Sequence, residues 1–211
     1  MKPPCRTFDD GLQRMSRRRR TCRHQYFLPC LAIVALAWVL LSPPSMQGQH
    51  AKPTEYEVKA TYLYNFGRFV DWPPKVTQNQ SGSFSICVLG QDPFGPALNA
   101  TLSDETVAGK RVVAKRVPTP QDAVNCRVLF ISSSEHARLK QILMTLADAS
   151  VLTVSDLPQF TQRGGMVQFI LEGNRVRFEV NLAAAEHAGL SLSSELLKVA
   201  MNVRRSTQLG D

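Results

Sequence analysis

The sequence predicts an α/β fold: a three-layer sandwich with a mixed, mainly parallel central sheet and an antiparallel hairpin at the C-terminal end. Short apolar runs bounded by Gly, Pro or Ser alternate along the chain with segments whose apolar residues recur at helical spacing. Val128–Ile131 is short and wholly apolar, as strands buried inside a parallel sheet are. Glu172-Gly173-Asn174 separates the runs Met166–Leu171 and Arg175–Val180, a pattern typical of a hairpin.

The N-terminal half of the domain contains two predicted helices and two predicted strands. Thr54 and Glu57 fit a capping box at the start of the first helix, which Pro73 and Pro74 end. Its apolar face and neighbouring aromatic residues are Val58, Tyr62, Tyr64, Phe66, Phe69, Val70 and Trp72. The aromatic ones either pack in the core or form a partner surface, and helical spacing favours the core for Tyr62 and Phe66. The later elements are a strand at Phe84–Leu89, a helix at Pro93–Leu102 and a strand at Arg111–Val117.

The C-terminal half begins with the strand Val128–Ile131 and a helix after Ser132-Ser133-Ser134. Leu139, Ile142, Leu143 and Leu146 give that helix one buried face. A fourth strand at Val151–Val154, the hairpin and a short helix at Ala183–Ala188 follow. Ser193 caps a last helix, predicted to carry Leu196, Val199, Ala200 and Val203 on one side and Arg204 and Arg205 at its C-terminus.

The first 48 residues form a basic leader, which precedes a single domain at 54–205 and a loose tail at 206–211. Residues 1–30 account for +6 of the net charge of +8, and an uncharged apolar stretch follows at Phe27–Leu41. This order predicts a secretory signal, with an uncleaved membrane anchor and a buried helix as alternatives and Met15 as an alternative start. Because the excess charge lies in the leader, nucleic-acid binding is not expected.

Two cysteines remain once the leader is set aside. Cys87 and Cys126 form an even pair in an exported domain, which makes them a candidate disulfide. Two buried free thiols are the alternative. Two cysteines without nearby histidines make a poor metal site, so no metal is expected.

No catalytic constellation or cofactor motif is visible in the sequence. His136 and His187 fall on predicted helix surfaces, and Ser132–Ser134 lacks the glycines of a nucleophile elbow. Gly90-Gln91-Asp92 follows a strand but lacks the glycine spacing of a dinucleotide site. The sequence therefore favours a protein without enzymatic activity, and a hydrolase built on these serines is the weakest alternative.

Polar residues collect where the predicted strands end, and these positions are the candidate binding site. In open α/β sheets, ligands bind beyond the carboxyl ends of the strands. The residues at these ends are Gly90, Gln91, Asp92, Ser132, Ser133, Ser155 and Asp156. The alternative is that they only cap helices and turns.

Several segments together resemble the YfiR family of exported proteins, over about residues 55–203. They are Glu57-Val58-Lys59-Ala60, Tyr64-Asn65-Phe66, Trp72-Pro73, Cys87-Val88-Leu89-Gly90, Asp92-Pro93-Phe94-Gly95, Cys126 with Leu129-Phe130-Ile131-Ser132, Leu152-Thr153-Val154-Ser155-Asp156, Gly164-Gly165-Met166, Arg177-Phe178-Glu179-Val180-Asn181 and Leu196-Leu197. No single segment is specific, but their order and spacing are. Within them, Asn65, Arg177 and Asn181 are polar positions that either contact a partner or form structural hydrogen bonds.

The resemblance implies a periplasmic regulator that binds the periplasmic part of an inner-membrane diguanylate cyclase and holds it inactive. The expected partner is an inner-membrane sensor protein, which could be a sensor kinase instead of a diguanylate cyclase. A homodimer of this chain is a further expected assembly. Cys87 and Cys126 match the family's cysteine pair, whereas Thr161 and Gln168 stand where the best-understood kind has a second pair. The rival interpretation is a periplasmic module that binds a small molecule.

Overall fold

The computed structural model describes residues 52–73 and 82–205. The predictions for the leader at 1–48 and the tail at 206–211 lie outside these residues. Within them, no helix is both long and apolar enough to cross a membrane.

The described chain alternates short helices with short strands. The helices are α1 (Glu55–Phe69), α2 (Pro96–Leu102), α3 (Pro120–Ala123), a 3₁₀ helix (Ser133–Arg138), α4 (Leu139–Thr145), α5 (Leu182–His187) and α6 (Ser194–Val199). The strands are β1 (Val70–Asp71), β2 (Ser83–Leu89), β3 (Thr106–Val107), β4 (Lys110–Val117), β5 (Val128–Ile131), β6 (Leu152–Ser155), β7 (Val167–Glu172), β8 (Arg175–Asn181), β9 (Ser191–Leu192) and β10 (Val203–Arg204). Each of the six predicted strands is present, within one residue of its predicted bounds.

Eight strands form one central sheet in the order β10-β8-β7-β6-β5-β2-β4-β3. The five central strands, β7, β6, β5, β2 and β4, run parallel, whereas β8 pairs antiparallel with β7 and β3 with β4. The two remaining strands, β1 and β9, form a separate antiparallel pair. The sequence prediction of a mixed, mainly parallel sheet with an antiparallel C-terminal hairpin is confirmed.

The central strands are apolar on both faces because helices cover both. Ile86 and Val128 are partners in the sheet and belong to the core under α1, α2 and α5. Their neighbours Cys87 and Leu129 face the opposite side and belong to a second core with α3 and α4. Each fully buried Leu or Phe contributes about 1.5–3 kcal/mol to this packing. The two cores define the three layers.

Helix α1 begins at the predicted capping box, but its buried face differs from the prediction. Thr54 accepts a hydrogen bond from the Glu57 amide, and the Glu57 carboxylate accepts one from the Thr54 amide. Phe66 is fully buried as expected, whereas Phe69, predicted on the same face, is 37% exposed. The buried residues of the helix are Lys59, Ala60, Leu63, Phe66 and Gly67, and a Cβ at Gly67 would lie 2.9 Å from the Phe84 ring. The absence of a side chain at Gly67 therefore leaves the space that the Phe84 ring occupies.

The prediction for the end of the domain is wrong beyond Val199. Helix α6 stops there, Val199 is 62% exposed, and the chain turns into β10 instead of continuing as a helix. The Met201 amide donates to the Phe178 carbonyl at 2.8 Å, so the open edge of β8 satisfies these backbone groups. Arg204 consequently lies in a strand, not at a helix C-terminus.

A disulfide joins Cys87 of β2 to Cys126, just before β5, with a Cα–Cα distance of 6.1 Å. Both side chains are buried in the core on the α4 side, and the bond confirms the pair proposed from the sequence. At Thr161 and Gln168, where the best-understood kind of relative has a second cysteine pair, the Thr161 amide donates to the Gln168 side-chain carbonyl at 3.4 Å. A hydrogen bond thus connects the two segments where a second disulfide is missing.

Candidate functional site

The predicted binding residues lie where the central parallel strands end. Strands β2, β5 and β6 are neighbours and parallel, so the residues after each one meet at the same edge of the sheet. We call the loops 90–92, 132–134 and 155–156 the carboxyl edge. From β2 the chain crosses to β4 on one side and then returns to β5 on the other, which makes the β2–β5 gap the topological switch point.

The gap between the first two loops is filled by the protein's own side chains. The Ser134 hydroxyl accepts the Gln91 amide at 2.9 Å, and the Ser132 amide donates to the Leu89 carbonyl at 3.0 Å. A Cβ at Gly90 would lie 2.5 Å from the Ser134 Oγ and 2.8 Å from the Glu135 Cγ. Gly90 also has a φ of +88°, so glycine is required here both for backbone conformation and for space.

The other side chains of these loops also hold backbone in place. The Ser132 hydroxyl caps the 3₁₀ helix by accepting the Ser134 amide, while Ser133 and Gln91 are exposed. Ser155 is fully buried, donates to the Ile131 carbonyl at 2.7 Å and accepts the Leu157 amide at 3.1 Å. These contacts agree with the alternative that the polar residues at the strand ends cap helices and turns. A role for the loops in binding stays a prediction.

Asp92 anchors the loop that leads into α2. One carboxylate oxygen accepts the Phe94 amide at 2.8 Å, and the other accepts Arg116 Nε, also at 2.8 Å. Arg116 in turn donates to the Asn99 side chain and to the Gly95 carbonyl. Asp92 therefore joins β4, α2 and the loop after β2.

A buried charge network at the third loop was missed by sequence reasoning. Lys59 of α1 is 3% exposed, and its Nζ lies 2.8 Å from Asp156 and 2.6 Å from Glu55. The same ammonium sits over the Tyr56 ring, 4.5 Å from its centroid, and the Tyr56 hydroxyl donates to Asp156 at 3.3 Å. The sequence indicates the Glu55–Lys59 pair, because the two residues are four positions apart in a helix. It does not indicate that Asp156 pairs with Lys59.

Opposing effects set the protonation of this network. Burial by itself would lower the pKa of Lys59, but the hydrogen bonds to Asp156 and Glu55 outweigh it, so the pKa lies above its ordinary value. Burial, followed by the Asp156 carboxylate, raises the pKa of Tyr56. Lys59 therefore stays protonated and positively charged. It can hold α1 against the loop after β6 through its ion pair with Asp156, but it cannot act as a base.

The three polar residues singled out by the family resemblance lie apart from the carboxyl edge. Asn65 is half-buried in a groove between α1 and α2, and Arg177 is exposed on β8. Asn181 is buried, donates to the Thr161 carbonyl at 2.9 Å and caps α5 by accepting the Ala184 amide at 3.1 Å. Asn181 therefore has a structural role, whereas contact roles for Asn65 and Arg177 stay predictions.

The described residues contain no evident catalytic or metal-binding cluster. His136 and His187 are exposed, and neither side chain hydrogen-bonds a serine hydroxyl in the described part of the chain. No group of three His, Cys, Asp or Glu side chains within 52–73 and 82–205 is placed to hold a metal ion.

Two solved structures resemble parts of the chain at low identity. One is a conserved domain protein from Vibrio cholerae O1 biovar eltor, with 13% identity and a TM-score of 0.47 over 72% of this chain. The other is an ABC domain in complex with L-Trp from Streptococcus pneumonia, with 10% identity and a TM-score of 0.46 over 68% of this chain. The chain spans 60% of the length of each.

A family profile gives the stronger match. The YfiR/HmsC-like profile, designated DUF4154, matches residues 56–201, which include α1, the disulfide and the whole carboxyl edge. At the family level, this match supports a periplasmic regulator of diguanylate cyclase signalling and a domain of a regulatory, non-catalytic kind. The chain therefore belongs to the YfiR/HmsC-like family.

Proposed function

We propose that this protein is exported to the periplasm, binds the periplasmic part of an inner-membrane diguanylate cyclase and holds it inactive. The observation that carries the proposal is the family match over 56–201, which covers almost all of the described domain. The basic leader provides for export, or for a membrane tether if it stays uncleaved. Regulation then depends on binding and requires no catalysis by this chain.

The surface best suited to such a partner lies at the antiparallel end of the sheet. Leu171, Val199 and Met201 are large apolar side chains with exposures of 54%, 62% and 43%. The backbone of Met201 bonds to β8, the strand that pairs with Leu171 in β7, so the segments belong to one end of the sheet. We call these three residues the C-terminal patch. Apolar side chains with a charged rim are typical of protein interfaces, and exposed Arg177 on β8 supplies such a charge.

The first experiment identifies the partner. The protein is captured from its own membranes after mild cross-linking, and the co-purified proteins are identified by mass spectrometry. We expect a membrane diguanylate cyclase with a periplasmic domain. Capture of a sensor kinase instead would overturn the cyclase version, and recovery of no membrane protein would count against regulation by binding.

The second experiment tests inhibition and the surface together. We expect deletion of the gene to raise cellular cyclic-di-GMP, and wild-type protein to restore the low level. The Val199→Asp/Met201→Asp variant should fail to restore it, because two carboxylates would be buried against the partner. The matched control is Val124→Asp, which changes an apolar residue of similar exposure, 41%, beside α3. Unchanged cyclic-di-GMP after deletion would sink the proposal, and failure of both variants at equal protein levels would sink the C-terminal patch.

A further inference from the structure

A cavity of about 520 Å³ lies between α4 and α5, away from the carboxyl edge and the C-terminal patch. The turn at Arg163–Met166 and Thr153 of β6 complete its walls. Small-molecule sites in proteins commonly enclose about 300–1,000 Å³. The cavity is therefore large enough for a ligand of modest size.

The interior of the cavity is apolar. Leu143, Met144, Leu146, Ala147 and Met166 are among its apolar lining residues. The two neutral polar side chains are already occupied: the Thr153 hydroxyl accepts the Met166 amide at 3.2 Å, and Asn181 bonds backbone groups through both side-chain atoms. A ligand would thus meet hydrocarbon inside the cavity and few free hydrogen-bonding groups.

The rim of the cavity is positively charged. Lys140 and Arg163 line it beside His187, and no Asp or Glu does, so the formal charge comes from the lysine and the arginine. Across the described residues, no carboxylate lies within ion-pair distance of these three side chains. Arg163 donates one long hydrogen bond, of 3.4 Å, to the His136 carbonyl. An anion at the mouth would therefore gain Coulomb attraction and charged hydrogen bonds at little desolvation cost to the protein.

We infer that the cavity binds a small amphipathic anion: an apolar chain or ring that ends in one carboxylate or phosphate group. The apolar part would fill the space between α4 and α5, and the anionic group would lie against Lys140 and Arg163. Met144, 69% exposed at the mouth, is an unbranched side chain that can adapt to ligands of different shape. This binding does not depend on the proposed function, because the purified protein without any cyclase suffices to measure it.

The test is isothermal titration of the purified protein with four ligands that share a ten-carbon chain, each below its micellar concentration. Decanoate and decyl phosphate carry the proposed anion, decanol is neutral and decyltrimethylammonium is cationic. We expect saturable binding of at least one anion, one per chain, at least tenfold tighter than decanol, with no binding of the cation. Preference for decanoate would point to a free fatty acid, and preference for decyl phosphate to a phosphate-headed lipid. Equal binding of decanol, or no saturable binding of either anion, would overturn the inference.

Variants locate the site. Lys140→Gln/Arg163→Gln should weaken anion binding at least fivefold, whereas Arg111→Gln/Lys115→Gln, which removes equal charge from exposed positions on β4, should leave it unchanged. Ala147→Phe should obstruct the cavity, and Ala100→Phe, at an exposed alanine on α2, should not. All these positions are exposed, so the fold should survive and circular dichroism can confirm it. If each variant and its control lost the same amount of anion affinity, the ligand would bind elsewhere.

Discussion

The carboxyl edge and the α4–α5 cavity differ in whether their polar side chains have partners within the protein. At the carboxyl edge, the Ser134 and Ser155 hydroxyls form hydrogen bonds with backbone groups, and Lys59 is paired twice. At the cavity, Lys140 and Arg163 line open space without a carboxylate partner. Polar side chains at strand ends therefore need not mark a ligand site, because neighbouring side chains and backbone can fill the space around them. Space has to be judged from the packing around them.

The difference has a local cause. The chain enters a 3₁₀ helix directly after β5, and this tight helix carries Glu135 inward, where it is 7% exposed and paired with Arg138 at 2.6 Å. That side chain occupies the switch point. Helices α4 and α5, by contrast, pack into the two different cores of the domain. Both helices line the cavity, together with Thr153 of β6 and the turn at Arg163–Met166. Thus the 3₁₀ helix fills the switch point with the Glu135 side chain, whereas open space remains where α4 and α5 meet the turn at Arg163–Met166.

Removal of the disulfide should cause the largest loss of stability, and it should affect the carboxyl edge more than the cavity. Cys87 and Cys126 tie β2 to the start of β5, the strands that carry the filled gap, whereas β6 and β7 beside the cavity are not cross-linked. Cys87→Ala/Cys126→Ala should lower the free energy of unfolding by about 3–4 kcal/mol, as expected for a closed loop of this length. Urea denaturation measures the loss.

Amide hydrogen exchange of the same variant supplies the control. Protection should fall most in β2 and β5 and least in β7, if the disulfide chiefly supports the carboxyl edge. A loss below about 1 kcal/mol, or a uniform fall in protection, would show that the two regions do not differ in this respect.

The sequence was sufficient to predict what depends on local pattern. Apolar runs located all six longer strands, Thr54 and Glu57 marked the start of α1, and Ser193 marked α6. The disulfide partners followed from elimination of the leader cysteines together with the family resemblance. Features that depend on distant packing could not be predicted: that the Val203–Arg204 segment would add to the edge of β8, that Glu135 would fill the gap, or that α4 and α5 would leave a cavity.

The candidate site illustrates the same limit. The residues of the carboxyl edge were located correctly, because strand ends can be read from sequence. Their hydrogen-bond partners could not be read. Asp156 lies 97 residues from Lys59, and nothing in the local pattern of either one indicates the other.

Gly90→Ala should have the next largest effect, because it tests whether the gap is as full as the contacts indicate. The new methyl group would overlap Ser134 and Glu135, and the backbone would keep a positive φ. We expect a loss of about 2–3 kcal/mol, from overpacking and left-handed strain together. Gly109→Ala is the matched control: its φ is +75°, but nothing lies within 4 Å of its Cβ, so it should lose about 1 kcal/mol. Equal losses measured by urea denaturation would mean that the gap has room.

The smallest effect is expected from Lys59→Met, and its pH dependence identifies the cause. At neutral pH we expect a loss of about 1–2 kcal/mol, because the lost charged hydrogen bonds are partly offset by the removed desolvation cost. The folded-state pKa of Lys59 is raised, so its contribution is fully present below the unfolded pKa of about 10.4 and disappears as the pH rises through the folded value. The difference between parent and variant should therefore shrink only in that alkaline range.

The experiment needs a background without Tyr56, since its raised pKa makes stability fall over an overlapping alkaline range. Unfolding free energies of Tyr56→Phe and Tyr56→Phe/Lys59→Met are compared from neutral pH to above about pH 10.4. Convergence of the two curves in the alkaline range would show that the paired charge on Lys59, facing Glu55 and Asp156, stabilises the contact of α1 with the carboxyl edge. Parallel curves would assign the loss to packing of the side chain, and the carboxyl edge would then be closed by shape and backbone hydrogen bonds without help from charge.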